Sequence, residues 1–338
     1  MAPKVSVVMC VYDGERYLSE ALESILNQTF RDFEFIIIDD GSTDGTGAIL
    51  GRYKNLDKRI QVYHQENQGF TASLNRGFRL AKGTYIARMD ADDISLQRRF
   101  DKQVRFLDNH PEIGVVGTWV AYVEKGGGIL GEWRTPISPT IAEWHLFFEP
   151  CVAHPSVMMR RDILKKIKGY NPRILQAQDY DLWVRIASKM RLTNLSEVLL
   201  LRRVHEDMVS VRHADQQENI TSEVMQRAIK RYLNKKVSIR LVRDFRRMST
   251  GLSLEAYDIQ EVARFIDELY CAYIERQSPK KSERREIASD VADKLYSLVL
   301  SERGSLLARG RILFRAVSLK PRLLITSLRH VIKKIVKG

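Results

Sequence analysis

This chain is poor in cysteine, has no long apolar run, and carries no acidic residue over its last 36 positions. Its three cysteines, Cys10, Cys151 and Cys271, lie far apart and form no metal or redox spacing. A disulfide framework is thereby excluded, and a reducing compartment fits. No stretch approaches the roughly 20 apolar residues that span a bilayer. Val5–Val11 is short and runs into a polar turn, so no secretion leader is expected. The glycosylation sequons at Asn27, Asn194 and Asn219 then carry no weight. The turn after that first apolar run, Tyr12-Asp13-Gly14-Glu15-Arg16, has a single glycine. A dinucleotide-binding Gly-x-Gly-x-x-Gly turn is therefore missing, as is a P-loop. The Gly-rich, Arg- and Lys-containing loop of a sugar-1-phosphate nucleotidylyltransferase is missing too.

The charge is uneven. Ten Lys and Arg, at 303, 309, 311, 315, 320, 322, 329, 333, 334 and 337, contribute +10 of the net +13 and leave +3 for the rest. The basic character belongs to the tail. At 338 residues the chain has room for about two domains. Its 44% hydrophobic content supplies a sizeable core.

The first part alternates strand and helix signals. Val5–Val11 and Phe33–Ile38 are short continuous apolar runs, as in strands buried on both faces. Leu18, Ala21, Leu22, Ile25 and Leu26 repeat at helical spacing between them. Ile60–His64 and Gly83–Arg88 read as further strands, and Ala72–Leu80 and Leu96–Asn109 as helices. This order predicts an α/β fold with a mainly parallel sheet covered by helices. In such sheets ligands bind beyond the carboxyl ends of the strands. Ile113–Tyr122 and a segment within Phe147–Met159 read as strands, Trp133–Pro139 as an exposed loop, and Asp179–Met190 as a helix. After about Ala214 the pattern is helical and charge-rich.

Acids gather at the strand ends. Met89-Asp90-Ala91-Asp92-Asp93 places three carboxylates within four residues. Like charges this close raise one another's pKa. A divalent cation relieves them, because hard oxygens suit Mg²⁺ or Mn²⁺; acids capping a helix are the alternative. Asp39-Asp40 ends the second apolar run. An ionised pair there can accept from a nucleobase imide or a ribose diol, or can serve its own turn. Asp179 reads either as a helix cap or as a general base. Asp181 reads as a solvated first-turn acid. His205 is a possible imidazole ligand, and His154 a core or site-facing residue.

The ordered series Val5–Asp13 with Tyr12, Gln28–Glu34, Ile38–Asp44, Asn67-Gln68-Gly69, Asn75, Gly77, Gly83–Ile86, Asp90–Asp93, His154-Pro155-Ser156 and Gln178–Trp183 resembles the family 2 glycosyltransferases. The resemblance spans roughly residues 4–210 and implies their GT-A (Rossmann-like) fold. It also implies inverting transfer of a sugar from a nucleotide-sugar donor, typically a UDP-sugar, without a covalent intermediate. Asp39 and Asp40 would hold the base beside the backbone of Val11 and Tyr12. Asp92 would bind Mn²⁺ or Mg²⁺, with Asp90 nearer the donor and Asp93 a plain cap. Asp179 would be the catalytic base, and His205 would complete the metal site. Two departures stand out. Cys10-Val11-Tyr12-Asp13 replaces Pro-Val-Tyr-Asn. Gln178-Asp179 replaces a Glu-Asp doublet, which lowers the base's pKa relative to a doublet. The Gln-x-x-Arg-Trp motif and membrane spans of processive members are absent, so one sugar per encounter is expected.

These readings predict a catalytic domain over 1–213, a helical region over 214–338, and an amphipathic basic tail over 303–338. The tail's Ile312, Phe314, Val317, Leu323, Leu324, Leu328, Val331, Ile332 and Ile335 form an expected insertion face for an anionic membrane surface. The expected location is cytoplasmic, on the inner face of the plasma membrane, with a glycan or lipid-linked acceptor. The competing reading is a non-catalytic membrane- or nucleic-acid-binding protein. Nucleic acid is disfavoured, because the basic residues lack interleaved aromatics.

Overall fold

A computed structural model describes residues 2–124, 126–205, 214–249, 258–300 and 305–324. It divides into two compact units, Met1–Ile220 and Thr221–Gly338.

The first unit is built on one mixed sheet. β1 (Val5–Val11) is buried along its whole length because it pairs in parallel on both sides. Its neighbours are β2 (Phe33–Asp39) and β4 (Tyr85–Asp90). β3 (Ile60–His64) extends the sheet beyond β2, also in parallel. The sheet then changes character. β8 (Met158–Arg160) pairs antiparallel with both β4 and β6 (Ile113–Val123). β9 (Arg191–Arg203) runs parallel to β6, and β5 (Ile94–Ser95) pairs antiparallel with β9. The order is β3-β2-β1-β4-β8-β6-β9-β5, with β7 (Ile129–Trp133) paired to β6. The expected parallel arrangement thus holds for the first four strands, and antiparallel pairs enter beyond them.

Alternation along the strands sorts the two faces. Val5, Val7, Met9 and Val11 pack with Tyr85, Ala87 and Met89. Over them lie α1 (Leu18–Leu26), α2 (Thr46–Leu56) and α4 (Arg99–Asn109). The opposite face receives α3 (Phe70–Leu80). It comes close because Gly77 lies against Val8: a Cβ there would meet Val8 Cγ1 at 2.5 Å. α5 (Pro139–His145) starts at the Ser138 cap, where the loop expected over Trp133–Pro139 ends. α6 (Arg161–Lys166) and α7 (Gln178–Ala187) follow.

The second unit, which begins within α8 (Ala214–Leu233), is helical. Its further helices are α9 (Ile239–Ser249), α10 (Ile259–Gln277), α11 (Lys281–Leu300) and α12 (Leu306–Leu319). Asp258 caps α10 through the amides of Gln260 and Glu261. Ala308, Ile312 and Ala316 recur every four residues on the buried stripe of α12. Ile312 and Leu323 are therefore core residues and not an insertion face, whereas Phe314 and Leu324 are exposed. Val317 is partly covered, and Leu328, Val331, Ile332 and Ile335 lie outside the described residues. Among the described residues no helix is long and apolar enough to cross a membrane.

Candidate active site

Parallel pairing brings the ends of β1, β2 and β4 side by side. Val11 stands in register with Asp39, and Cys10 with Asp90. The Val11 carbonyl accepts from the Asp40 amide at 2.9 Å. Tyr12 then leaves the sheet and is 53% exposed. Asp39 Oδ1 accepts from the Ser42 amide at 3.1 Å, and Oδ2 lies 2.8 Å from His64 Nδ1. His64 ends β3 next to β2 and was not singled out in the sequence; a polar residue closing a parallel strand was its one signal.

Asp40 is occupied differently. Its carboxylate accepts from Gln65 Nε2 at 2.6 Å and from the amides of Gln68 and Gly69, each at 2.9 Å. It thereby fixes the loop that leads into α3. Gly69 turns there with φ of +86°, which favours glycine. The loops after β1 and β2 are also laced together. Asp13 Oδ1 accepts from the Thr43 amide at 2.7 Å, and the Asp13 amide donates to Ser42 Oγ at 3.0 Å. The Glu15 amide donates to Asp44 Oδ2 at 3.0 Å, and Glu15 Oε2 accepts from the Gly45 amide at 2.6 Å.

The acidic cluster follows β4. Asp90 accepts from Arg88 Nη2. Arg88 is only 2% exposed and lies over the Phe70 ring at 5.4 Å. Its Nε and Nη1 find no partner among the described residues. An arginine inside the apolar run Tyr85–Met89 was the signal that could have found it. Burial pushes the Asp90 carboxyl up, against the pull of Arg88, and Asp92 adds to the rise. Asp92 Oδ2 lies 2.9 Å from His205 Nε2.

Asp93 is buried and is not a helix cap. β5 intervenes, and α4 starts only at Arg99. Asp93 Oδ1 accepts from the Arg203 amide at 3.1 Å, and Oδ2 has no partner among the described residues. Burial, with Asp90 and Asp92 nearby, holds this carboxyl well above its usual range. One ligand atom from each of Asp90, Asp92 and Asp93 lies within 4.8 Å of the others. An all-oxygen donor set with an orphaned buried Asp93 Oδ2 fits a hard divalent cation. The His205 ring lies 5.4 Å from that of Tyr17, with Arg203 over Tyr17 at 4.9 Å.

Asp179 sits in the first turn of α7, half-buried. It is not the cap: Ala177 holds that position, with φ of +54°. Asp179 Oδ1 accepts from the Tyr180 amide at 2.8 Å. Burial raises its carboxyl, opposed by that amide and by the charges of Arg88 and Arg202. Asp181 is buried and paired with Arg185 at 2.7 Å, not a solvated acid. His154 is also a core residue. It contacts the Tyr170 hydroxyl and lies edge-on to Phe70, Tyr170 and Trp183. Burial, then Arg88 and Arg202, pushes its pKa well below the usual histidine range. The charge of Arg88 acts on Asp90, His154, Tyr170 and Asp179, so these groups share one buried guanidinium.

The sheet carries an acidic cluster at the end of β4, and α7 carries a further half-buried carboxylate. Residues 6–168 match Glycosyl transferase family 2. The O-antigen biosynthesis glycosyltransferase WbnJ of Escherichia coli is 36% identical over 205 residues, covering 60% of this chain and 80% of that protein. The chain belongs to glycosyltransferase family 2, and it is a glycosyltransferase. Two solved structures share the fold. S. aureus TarS 1–349 in complex with UDP-GlcNAc has a TM-score of 0.59 at 18% identity, covering 96% of this chain and 92% of that one. The mannosyltransferase PcManGT from Pyrobaculum calidifontis, in complex with GDP-Man and Mn²⁺, has a TM-score of 0.53 at 18% identity, with 100% and 87% covered.

Proposed function

We propose that this enzyme transfers one sugar, with inversion, from a UDP-sugar to a hydroxyl of a glycan or lipid-linked acceptor in surface-polysaccharide synthesis. The observation that carries this reading is the Asp90–Asp92–Asp93 donor set at the end of β4, beside His205. Asp92, with Asp90 and Asp93, would hold Mn²⁺ or Mg²⁺, and His205 would complete or orient that set. Such a cation neutralises the charge of a departing nucleoside diphosphate.

The protein's own groups do the rest. Asp39 faces the base, backed by His64, beside the Val11 backbone and the exposed Tyr12. Asp40 acts at one remove, by fixing the Gln65–Gly69 loop. Asp90 meets the ribose or the sugar. Asp179 takes the acceptor's proton as that oxygen bonds to the anomeric carbon. The bond from that carbon to the phosphate oxygen breaks, and its electron pair leaves with the diphosphate. Inversion follows from this single displacement. Burial suits Asp179 to the task, because a raised pKa makes it a stronger base.

Its place is the inner face of the plasma membrane, held through the basic tail. The exposed Phe314 and Leu324 support that reading. A thermal-shift and hydrolysis screen of UDP-, GDP- and dTDP-sugars with Mn²⁺ tests the donor. Protection by GDP-sugars alone would remove the uridine assignment, and protection by none would remove the nucleotide-sugar reading. Flotation with anionic vesicles tests the location: unchanged binding after removal of 325–338 together with Phe314→Ser and Leu324→Ser would rule out the tail.

A further inference from the structure

The helical unit holds a basic cavity. It measures about 660 Å³, a size typical of small-molecule sites. Lys281, Arg284 and Arg285 line one side, from the first turns of α11. Lys320 and Arg322 line the other, from the turn that ends α12, and Tyr270 of α10 contributes as well. No carboxylate lines it among the described residues. Asp293 pairs with Lys320 at 2.6 Å. Glu283 turns its carboxylate to the Lys280 amide at 2.9 Å. Lys281, Arg284, Arg285 and Arg322 have no acidic partner among the described residues.

Four unpaired cations around one concavity repel one another, and a bound anion relieves them. Two of them are adjacent arginines, whose planar forks match phosphate oxygens. We propose that this cavity binds a phosphate group, either of an anionic lipid headgroup or of a soluble phosphate. Leu306, Leu307 and Phe314 of α12 and Leu324, in the same unit, are exposed, and apolar side chains of this kind suit the acyl region that accompanies a lipid phosphate. The proposal does not depend on residues 325–338, and its soluble arm stands even where the membrane reading fails.

The test uses the full chain and two probes. Vesicles of phosphatidylglycerol, with phosphatidylcholine as control, report the headgroup arm; ³¹P line broadening of inorganic phosphate reports the soluble arm. The double variant Arg284→Gln/Arg285→Gln and the single variant Arg322→Gln probe opposite walls. Melting temperature and transfer to a soluble acceptor should stay at wild-type values in both. Vesicle binding should fall about 30-fold in the double variant, taking the usual contribution of each basic residue at an anionic surface. A loss with vesicles alone assigns a lipid headgroup, and a loss with phosphate alone assigns a soluble ligand. Unchanged binding of both probes in these variants, or no binding of either by the wild type, would overturn the proposal.

Discussion

His205 Nε2 lies 2.9 Å from Asp92 Oδ2, joining a residue two positions beyond β9 to the acidic cluster more than a hundred positions earlier. A neutral ring that donates from Nε2 keeps its lone pair on Nδ1, and Nδ1 is buried with no partner among the described residues. The hydrogen bond fixes the Asp92 carboxylate in one orientation. Replacing His205 with Ala should raise the Mn²⁺ concentration for half-maximal transfer by about 10–100-fold. Gln, which can still donate, should recover part of it. Equal Mn²⁺ dependence in all three proteins would detach His205 from the cation.

Asp92→Asn should abolish the rise in melting temperature produced by Mn²⁺ and lower transfer at least about 100-fold. Asp93→Asn removes an orphaned buried carboxylate, so it should raise the cation-free melting temperature while weakening the response to Mn²⁺. Calorimetry with and without Mn²⁺ reads both.

For Asp179 the pH profile is the sharper measure. A base must be ionised to act, so kcat/KM should rise with pH through the carboxyl's pKa and then level. Burial places that limb above the range of an exposed aspartate. Asp179→Asn should cost about 10²–10⁴ in kcat while nucleotide binding, followed by thermal shift, persists. A variant retaining near-normal turnover would mean that another group takes the proton.

Asp40 is a prediction about order. Alanine leaves the Gln68 and Gly69 amides without their acceptor, a loss of about 2 kcal/mol. Denaturant melts should show this, and the donor's KM should rise more than kcat falls. A KM held at the wild-type value would separate the loop from donor binding.

His154 gives a stability signature. Its folded pKa is depressed by burial, so between that value and the unfolded pKa near 6.5 the unfolded chain binds more protons. Stability should therefore be complete above about pH 6.5 and fall as pH drops through this window. His154→Asn should flatten that slope whatever its effect on absolute stability. An unchanged slope would assign the titration elsewhere.

β1 and β2 were legible because burial on both faces writes itself as an unbroken apolar run, as in Val5–Val11, whereas β3, an edge strand only partly buried, left a weaker trace. β9 was not. Arg191–Arg203 mixes polar and apolar positions, and its pairing with β6 spans some 80 residues that no local pattern reports. The strand-end acids were visible as residue types, but their division of labour was not. Asp40 looks like Asp39 in sequence, yet it is spent on three donors 25–29 residues away. Asp181 looked solvated because first-turn acids commonly are; its i, i+4 partner Arg185 was visible in the predicted helix, but the burial of the carboxylate was not. Arg88 broke the apolar pattern of β4 and so was visible as an exception, but nothing in the chain said that it sat beneath the site.

The lacing between the loops after β1 and β2 bears on how this enzyme can be altered. Asp13 and Glu15 each both give and receive across that seam, with Ser42, Thr43, Asp44 and Gly45 as counterparts. A graft that exchanges one loop for a relative's strands amides and carboxylates in the other. Substitutions here are therefore expected to be tolerated in matched pairs across lineages, and an engineer seeking a new donor must transplant both loops as one cassette.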